Sequence, residues 1–307
     1  MLNNSVKNNV ILESEVVGEK VVKATDLGNF NIKTDTGNVF KATFKEVTEL
    51  DAVDVNVIEI EGVKYSMDNV ADFDSEFNKS KKNYKPNLFW SYYLDEIPTK
   101  CTINQVLGVP SENLGIVENF KEDLEGQTFK FKVKDQEYEV TFNQIGVVAE
   151  GFSSFYTLPK AEQEKDIMII DIGGRTVNIV VFRKRRCVHR FQIDYGMINV
   201  YNDIKARYNN NGNNISPEDV LFYIEKKFIP NEIVQQAHYV LFDKIYKKVR
   251  EFTELDLYKR YITGGGAIET EANLAKYDPE REFYLMDDPL FSNVNGNKAI
   301  ARAKWGK

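Results

Sequence analysis

Two short acidic loops constrain this chain more than any other feature. Asp26-Leu27-Gly28 follows the apolar strand EKVVKAT, and Asp171-Ile172-Gly173 follows a second apolar strand over residues 166–170. Each loop closes its strand and opens a hairpin. A chain of 307 residues exceeds one ordinary core and suits two domains. Two similar halves, each presenting an acidic loop, predict one ligand gripped from both sides.

The loops carry chemistry suited to phosphate. Glycine lets backbone N–H groups approach phosphate oxygens closely, and a turn of such groups forms an anion nest. Asp26 does not touch phosphate favourably, so its natural role is to hold water on a magnesium ion, which keeps its waters. Lys33, at the far side of the same hairpin, supplies countercharge. The second loop, Asp171-Ile172-Gly173-Gly174-Arg175-Thr176, repeats the arrangement. One such loop is as readily an ordinary turn; finding two favours a site. A third element, Ile262-Thr263-Gly264-Gly265-Gly266-Ala267, closes another strand. Its three glycines are either a flexible joint or backbone lying flat against a bulky ligand such as a nucleoside, where side chains would clash.

Between these points the pattern alternates. Residues 1–18 read as an arm. Hairpins are predicted around Asp35-Thr36-Gly37-Asn38 and Glu61-Gly62. Helices are expected over 87–97, 111–126, 150–158, 197–208, 217–228 and 231–252, and strands over 101–109 and 127–144. Arg183-Lys184-Arg185-Arg186 reads as a solvated hairpin tip, and the cluster Phe89, Trp90, Tyr92, Tyr93 as core.

Composition removes several classes of function. The formal charge of −7 argues against a protein that holds nucleic acid through its phosphates. Cys101 and Cys187, with His189 and His238, give neither a disulfide framework nor zinc spacing. No apolar run reaches membrane-spanning length, and the N-terminus lacks signal-peptide regions. The expectation is a soluble, cytoplasmic protein.

The order of phosphate loop, connecting helix, second phosphate loop and glycine-rich loop resembles the actin, heat-shock chaperone and sugar kinase superfamily over most of the chain. The nearest resemblance is to the ParM branch of bacterial actins. It rests on the spacing from Asp26 to Lys33, on Val147-Val148-Ala149-Glu150-Gly151 opening a connecting helix, and on the ending DDPLFSNVNGNKAIA. The resemblance implies an α/β actin-like fold of two similar domains with a nucleotide cleft between them. Residues 1–164 with 290–307 would form one domain and 165–289 the other.

Carried over by position, Asp26, Gly28, Asn29 and Lys33 would form the first phosphate site, and Asp171, Gly173, Gly174 and Thr176 the second. Gly264, Gly265, Gly266 and Ala267 would face adenosine. Glu150 would orient the attacking water, and Asp26 and Asp171 would hold magnesium through water. Asn178 stands where relatives often keep a second acidic residue. Arg175 either contacts phosphate or points to solvent, and Glu225 and Lys226 are candidates to border adenine and ribose. The resemblance implies ATP as the nucleotide, with GTP left open, and a head-to-tail filament that segregates plasmids through a DNA-binding adaptor. A small-molecule kinase, a chaperone-like ATPase and a nucleotide-binding module without hydrolysis are the alternatives.

Overall fold

A computed structural model describes residues 19–28, 30–48, 56–67, 83–109 and 117–306. The N-terminal arm, Asn29 and residues 68–82 lie outside the described residues.

The first half builds a nine-stranded sheet. Its central strands are β1 (Glu19–Leu27), β7 (Lys100–Val109) and β9 (Gln136–Ala149), with β2 (Asn31–Thr34) and β3 (Val39–Lys41) folding back from β1. The remaining strands, β4 (Lys45–Val47), β5 (Val57–Ile60), β6 (Val63–Ser66) and β8 (Thr128–Val133), extend the other edge. Helices α1 (Lys85–Leu94) and α2 (Val117–Leu124) belong to this half. The second half has a five-stranded sheet of β10 (Ile167–Ile172), β11 (Val177–Arg183), β12 (Arg186–Ile193), β13 (Lys259–Thr263) and β14 (Phe283–Leu285). Around it lie α3 (Lys160–Gln163), α4 (Met197–Asn209), α5 (Val220–Glu225), α6 (Asn231–Arg250) and α7 (Ala267–Tyr277), and α8 (Ser292–Trp305) follows.

The halves share one plan. In the first, β3-β2-β1 is an antiparallel meander and β7 and β9 add in parallel beside β1. In the second, β12-β11-β10 is the meander, and β13 and β14 add in parallel beside β10. Strand direction and order therefore switch beside β1 and β10, where the crevice at the strand ends characteristically takes ligand. The duplication expected from the acidic loops is a duplication of topology.

Alternation explains why β10 is so apolar. Met168, Ile170 and Ile172 pack into a core with α4, α6 and α7, whereas Ile167 and Ile169 pack on the opposite face against Phe155, Leu158 and Phe182. Successive strand side chains face opposite ways, and with both faces covered no polar position is left before Asp171. In the first half Phe89, Trp90 and Tyr92 are buried in the core as expected, with Tyr93 packed against it. Lys184 and Arg185 form the tip of the β11–β12 hairpin with positive φ.

Two sequence expectations are corrected and one is tested only in part. The connecting helix does not open at Val147: residues 147–149 are the last rungs of β9, held in register by Val109↔Ala149, and only a 3-10 turn at Ser153–Thr157 follows. Parallel pairing with β7 outweighs any helical preference of that apolar run. Of the helix expected over 111–126, Val117–Leu124 is helical, and residues 111–116 lie outside the described residues. The stretch at 217–228 divides into a 3-10 turn, Pro217–Asp219, and the short α5.

Candidate functional site

Register places the acidic side chains. In the β1–β2 hairpin Asp26 lies opposite Lys33, and in the β10–β11 hairpin Asp171 lies opposite Asn178. Directly opposed residues present their side chains to one face of the sheet. Lys33 Nζ accordingly reaches Asp26 Oδ2 at 3.0 Å. Burial works against the Lys33 charge, yet Asp26, with contributions from Asp171 and Glu150, holds its pKa above the ordinary lysine value.

Glu150 follows directly on β9. Gly151, with φ +74°, makes the turn that brings it across to the second sheet, and a side chain at Gly151 would meet Val180 Cγ2 at 3.1 Å and Asp171 Cβ at 3.6 Å. Asn178 Nδ2 then donates to Glu150 Oε2 at 3.1 Å. Asn178 therefore grips the carboxylate carried by the first half.

Asp171 is buried. Burial first, and the Glu150 charge second, push its carboxyl up to about 7, against the opposing hydrogen bond from Asn293 and the charge of Lys33. Asn293 Nδ2 donates to Asp171 Oδ2 at 2.7 Å, and its Oδ1 accepts from the Gly151 N–H at 2.8 Å and from Ser154 Oγ at 2.7 Å. One turn further along α8, Asn297 Nδ2 and Asp26 Oδ1 both crowd Gly108, where a Cβ would lie 3.2 Å and 3.5 Å from them. Helix α8 thus addresses both acidic loops. Its closeness to the 3-10 turn requires Gly296, whose Cβ would fall 1.9 Å from Ser153 O.

The second loop is docked on a helix start. Met197 and Ile198 donate their N–H groups to Gly173 O and Gly174 O at 3.1 and 2.8 Å, and the Gly173 N–H closes a tight turn on Thr176 O at 2.9 Å. Gly174 faces Phe30 of the first loop, with a would-be Cβ 2.9 Å from Phe30 Cβ. The glycine triplet is tied to β10 by the Gly266 N–H to Ile172 O at 2.9 Å.

These elements enclose a cavity of about 320 Å³, the size of a small-molecule site. Asp26, Gly28, Lys33, Glu150, Asp171, Gly173, Gly174, Thr176, Gly264, Gly265 and Gly266 all line it, as do Arg175 and Asn178. Asn29 lies outside the described residues. Ala267 is the departure: it is fully buried in the second core, and its N–H is spent on Gly264 O. Glu225 and Lys226 do not line the cavity either; Leu221 of the same helix does. Sequence reading missed Asn293, Phe30, Tyr201 and Glu269. For Asn293 a signal existed in the spacing of Asn293 and Asn297, four residues apart on one face of a helix that also carries Val294 and Ala301 inward.

No protein-family model matches the chain, and no curated protein matches it. Solved structures do. An archaeal actin homologue, Ta0583, in complex with ADP, superposes with a TM-score of 0.76 at 14% identity, covering 92% of this chain and 99% of that one. The chain has the actin-like fold. Within that fold, the protomer of a 15-stranded ParM filament from Clostridium botulinum matches with a TM-score of 0.74 at 20% identity over 93% of this chain and 100% of that one. Apo pSK41 ParM matches with a TM-score of 0.69 at 20% identity, over 94% and 98%. The cavity lies between the two acidic hairpins of this fold. Among the described residues, no helix is long and apolar enough to cross a membrane.

Proposed function

We propose that this chain is a nucleotide-dependent, filament-forming ATPase that segregates plasmid DNA, with GTP as the other candidate nucleotide. The observation that carries the nucleotide reading is the facing pair of Asp-x-Gly hairpins with Glu150 between them and a glycine triplet at one side. In this reading residues 1–164 with 290–307, and 165–289, act as the two jaws; their two main cores support the division, and a third core packs Phe155 and Leu158 of the first jaw on the second sheet. Gly28, Gly173, Gly174 and Thr176 cradle phosphate, and Lys33 neutralises it. No group of three or more His, Cys, Asp or Glu among the described residues forms a metal cage. The pair Asp26 and Asp171 instead suits a magnesium ion that keeps its waters. Such an ion, when bound, supplies charge neutralisation for phosphoryl transfer.

Glu150 is the residue placed to orient the attacking water. Asn178 donates to its Oε2 and so orients the carboxylate that would accept a proton from that water. Asn293 keeps Asp171 in place from behind. Self-association is supported by the filament-forming relatives of the same fold, since head-to-tail contacts that do not close generate filaments. The net charge of −7 favours a separate DNA-binding adaptor over direct contact with DNA.

Sedimentation with and without magnesium-ATP or magnesium-GTP tests the reading, together with phosphate release. Nucleotide-dependent pelleting is expected. In Glu150→Ala, phosphate release should fall by about two orders of magnitude, within the range for loss of a positioned acid–base group, while filaments persist longer. Absence of assembly, together with phosphorylation of a small molecule, would replace the filament reading with a kinase.

A further inference from the structure

The cavity has two chemically different ends. Lys33 and Asp171 interact electrostatically with one another and with Asp26 and Glu150, which marks one charged cluster. Glu269 lines the same cavity but takes no part in that cluster: its one polar partner among the described residues is Tyr201, whose hydroxyl donates to Glu269 Oε2 at 2.7 Å. Glu269 is the third residue of α7, so it stands about 5 Å, one helical turn, beyond the glycine triplet. Tyr201 stands one turn beyond the start of α4, which docks on the second phosphate loop. Both helices therefore carry this pair away from the phosphate end.

Apolar residues and glycines line the cavity together with the pair. Met197, Ile198 and Leu221 contribute side chains, and Gly264–Gly266 contribute bare backbone. Such a lining accommodates a planar ring. Tyr201 is largely buried and fixes one carboxylate oxygen, which leaves Oε1 and the remaining lone pairs of Glu269 as acceptors at its edge. An ionised carboxylate only accepts. Guanine offers it two adjacent donors, N1–H and the N2 amino group. Adenine offers one amino group beside the N1 lone pair, which faces the carboxylate unfavourably.

Resting on the nucleotide reading above, we propose that Glu269, held by Tyr201, reads the base edge and makes the cleft select guanine over adenine nucleotides. The surroundings are consistent with a carboxylate in contact with ligand: burial raises the Glu269 pKa, and the Tyr201 hydrogen bond opposes that rise.

Calorimetric binding of magnesium complexes of GTP, ITP, ATP and 2′-deoxyGTP to the full chain tests the assignment. GTP is expected to bind at least about tenfold more tightly than ATP, since a site built for donors rejects a base that lacks them. ITP, which keeps N1–H but lacks the N2 amino group, should fall between them. In Glu269→Gln and Tyr201→Phe the GTP-to-ATP ratio should collapse toward one. Equal affinities for GTP, ITP and ATP in the unmodified protein overturn the base-reading role while leaving the nucleotide cleft intact. A wild-type preference for GTP over 2′-deoxyGTP that alone disappears in Glu269→Gln assigns the carboxylate to ribose and likewise overturns it. Binding of no purine triphosphate at all removes the cleft reading and this inference together.

Discussion

Gly265 separates what the fold needs from what a ligand needs. A Cβ added there would meet only Leu290 Cδ1, at an ordinary 3.6 Å, although the residue lines the cleft. Its backbone φ lies outside the left-handed range, unlike that of Gly264 at +89°. Gly265→Ala should therefore leave the free protein as stable as before within about 0.5 kcal/mol, as for a surface substitution away from special features. Reduced freedom in the unfolded chain adds at most about 1 kcal/mol in its favour. If the glycine backbone lies against the nucleoside, the extra methyl is an overpacking change of about 1–3 kcal/mol, or roughly 5- to 150-fold in nucleotide affinity. Urea unfolding without nucleotide reads the first quantity, and titration calorimetry with magnesium-nucleotide reads the second. Gly264→Ala is the control. Its Cβ would fall 2.3 Å from Asp171 Oδ1, so the free protein itself should lose stability. The reasoning fails if Gly265→Ala destabilises the free protein by more than about 1 kcal/mol, or if affinity stays within twofold.

Two further outcomes follow from buried polar groups. Asn293→Ala removes a donor to Asp171 and strands the Gly151 N–H, so it should cost about 2–5 kcal/mol in urea unfolding; a loss below about 1 kcal/mol would contradict its bridging role. His238 is buried, and its Nδ1–H donates to Val234 O at 2.8 Å. Burial lowers its pKa, against the raising effect of that hydrogen bond. The unfolded chain therefore binds this proton more readily, and stability should fall as pH drops below about 6.5. His238→Leu should flatten that part of the pH profile; an unchanged slope would show that His238 does not contribute to it.

Much of this was readable from local pattern, and the rest was not for identifiable reasons. Asp26 and Asp171 stood out because an apolar run ending in Asp-x-Gly is local information, and the hairpins they open followed from it. The fate of residues 147–151 was not local: the pairing of β9 with β7 decides it across some forty residues. Glu150 was placed in the site from resemblance, but the turn that carries it there depends on Gly151 meeting Val180. Glu269 and Tyr201, 68 positions apart in sequence, come together only because α4 and α7 pack on one sheet. Ala267 shows the converse, since a position beside three cleft glycines is turned inward by the start of α7.

The anchoring of Asp171 by Asn293 spans 122 residues of sequence. A chain emerging from the ribosome carries both acidic hairpins well before it carries the helix that secures the second. Until synthesis passes residue 293, Asp171 and the Gly151 turn lack the side chain that joins them. The second acidic hairpin is thereby left without its buried anchor until nearly all of the described fold has been made.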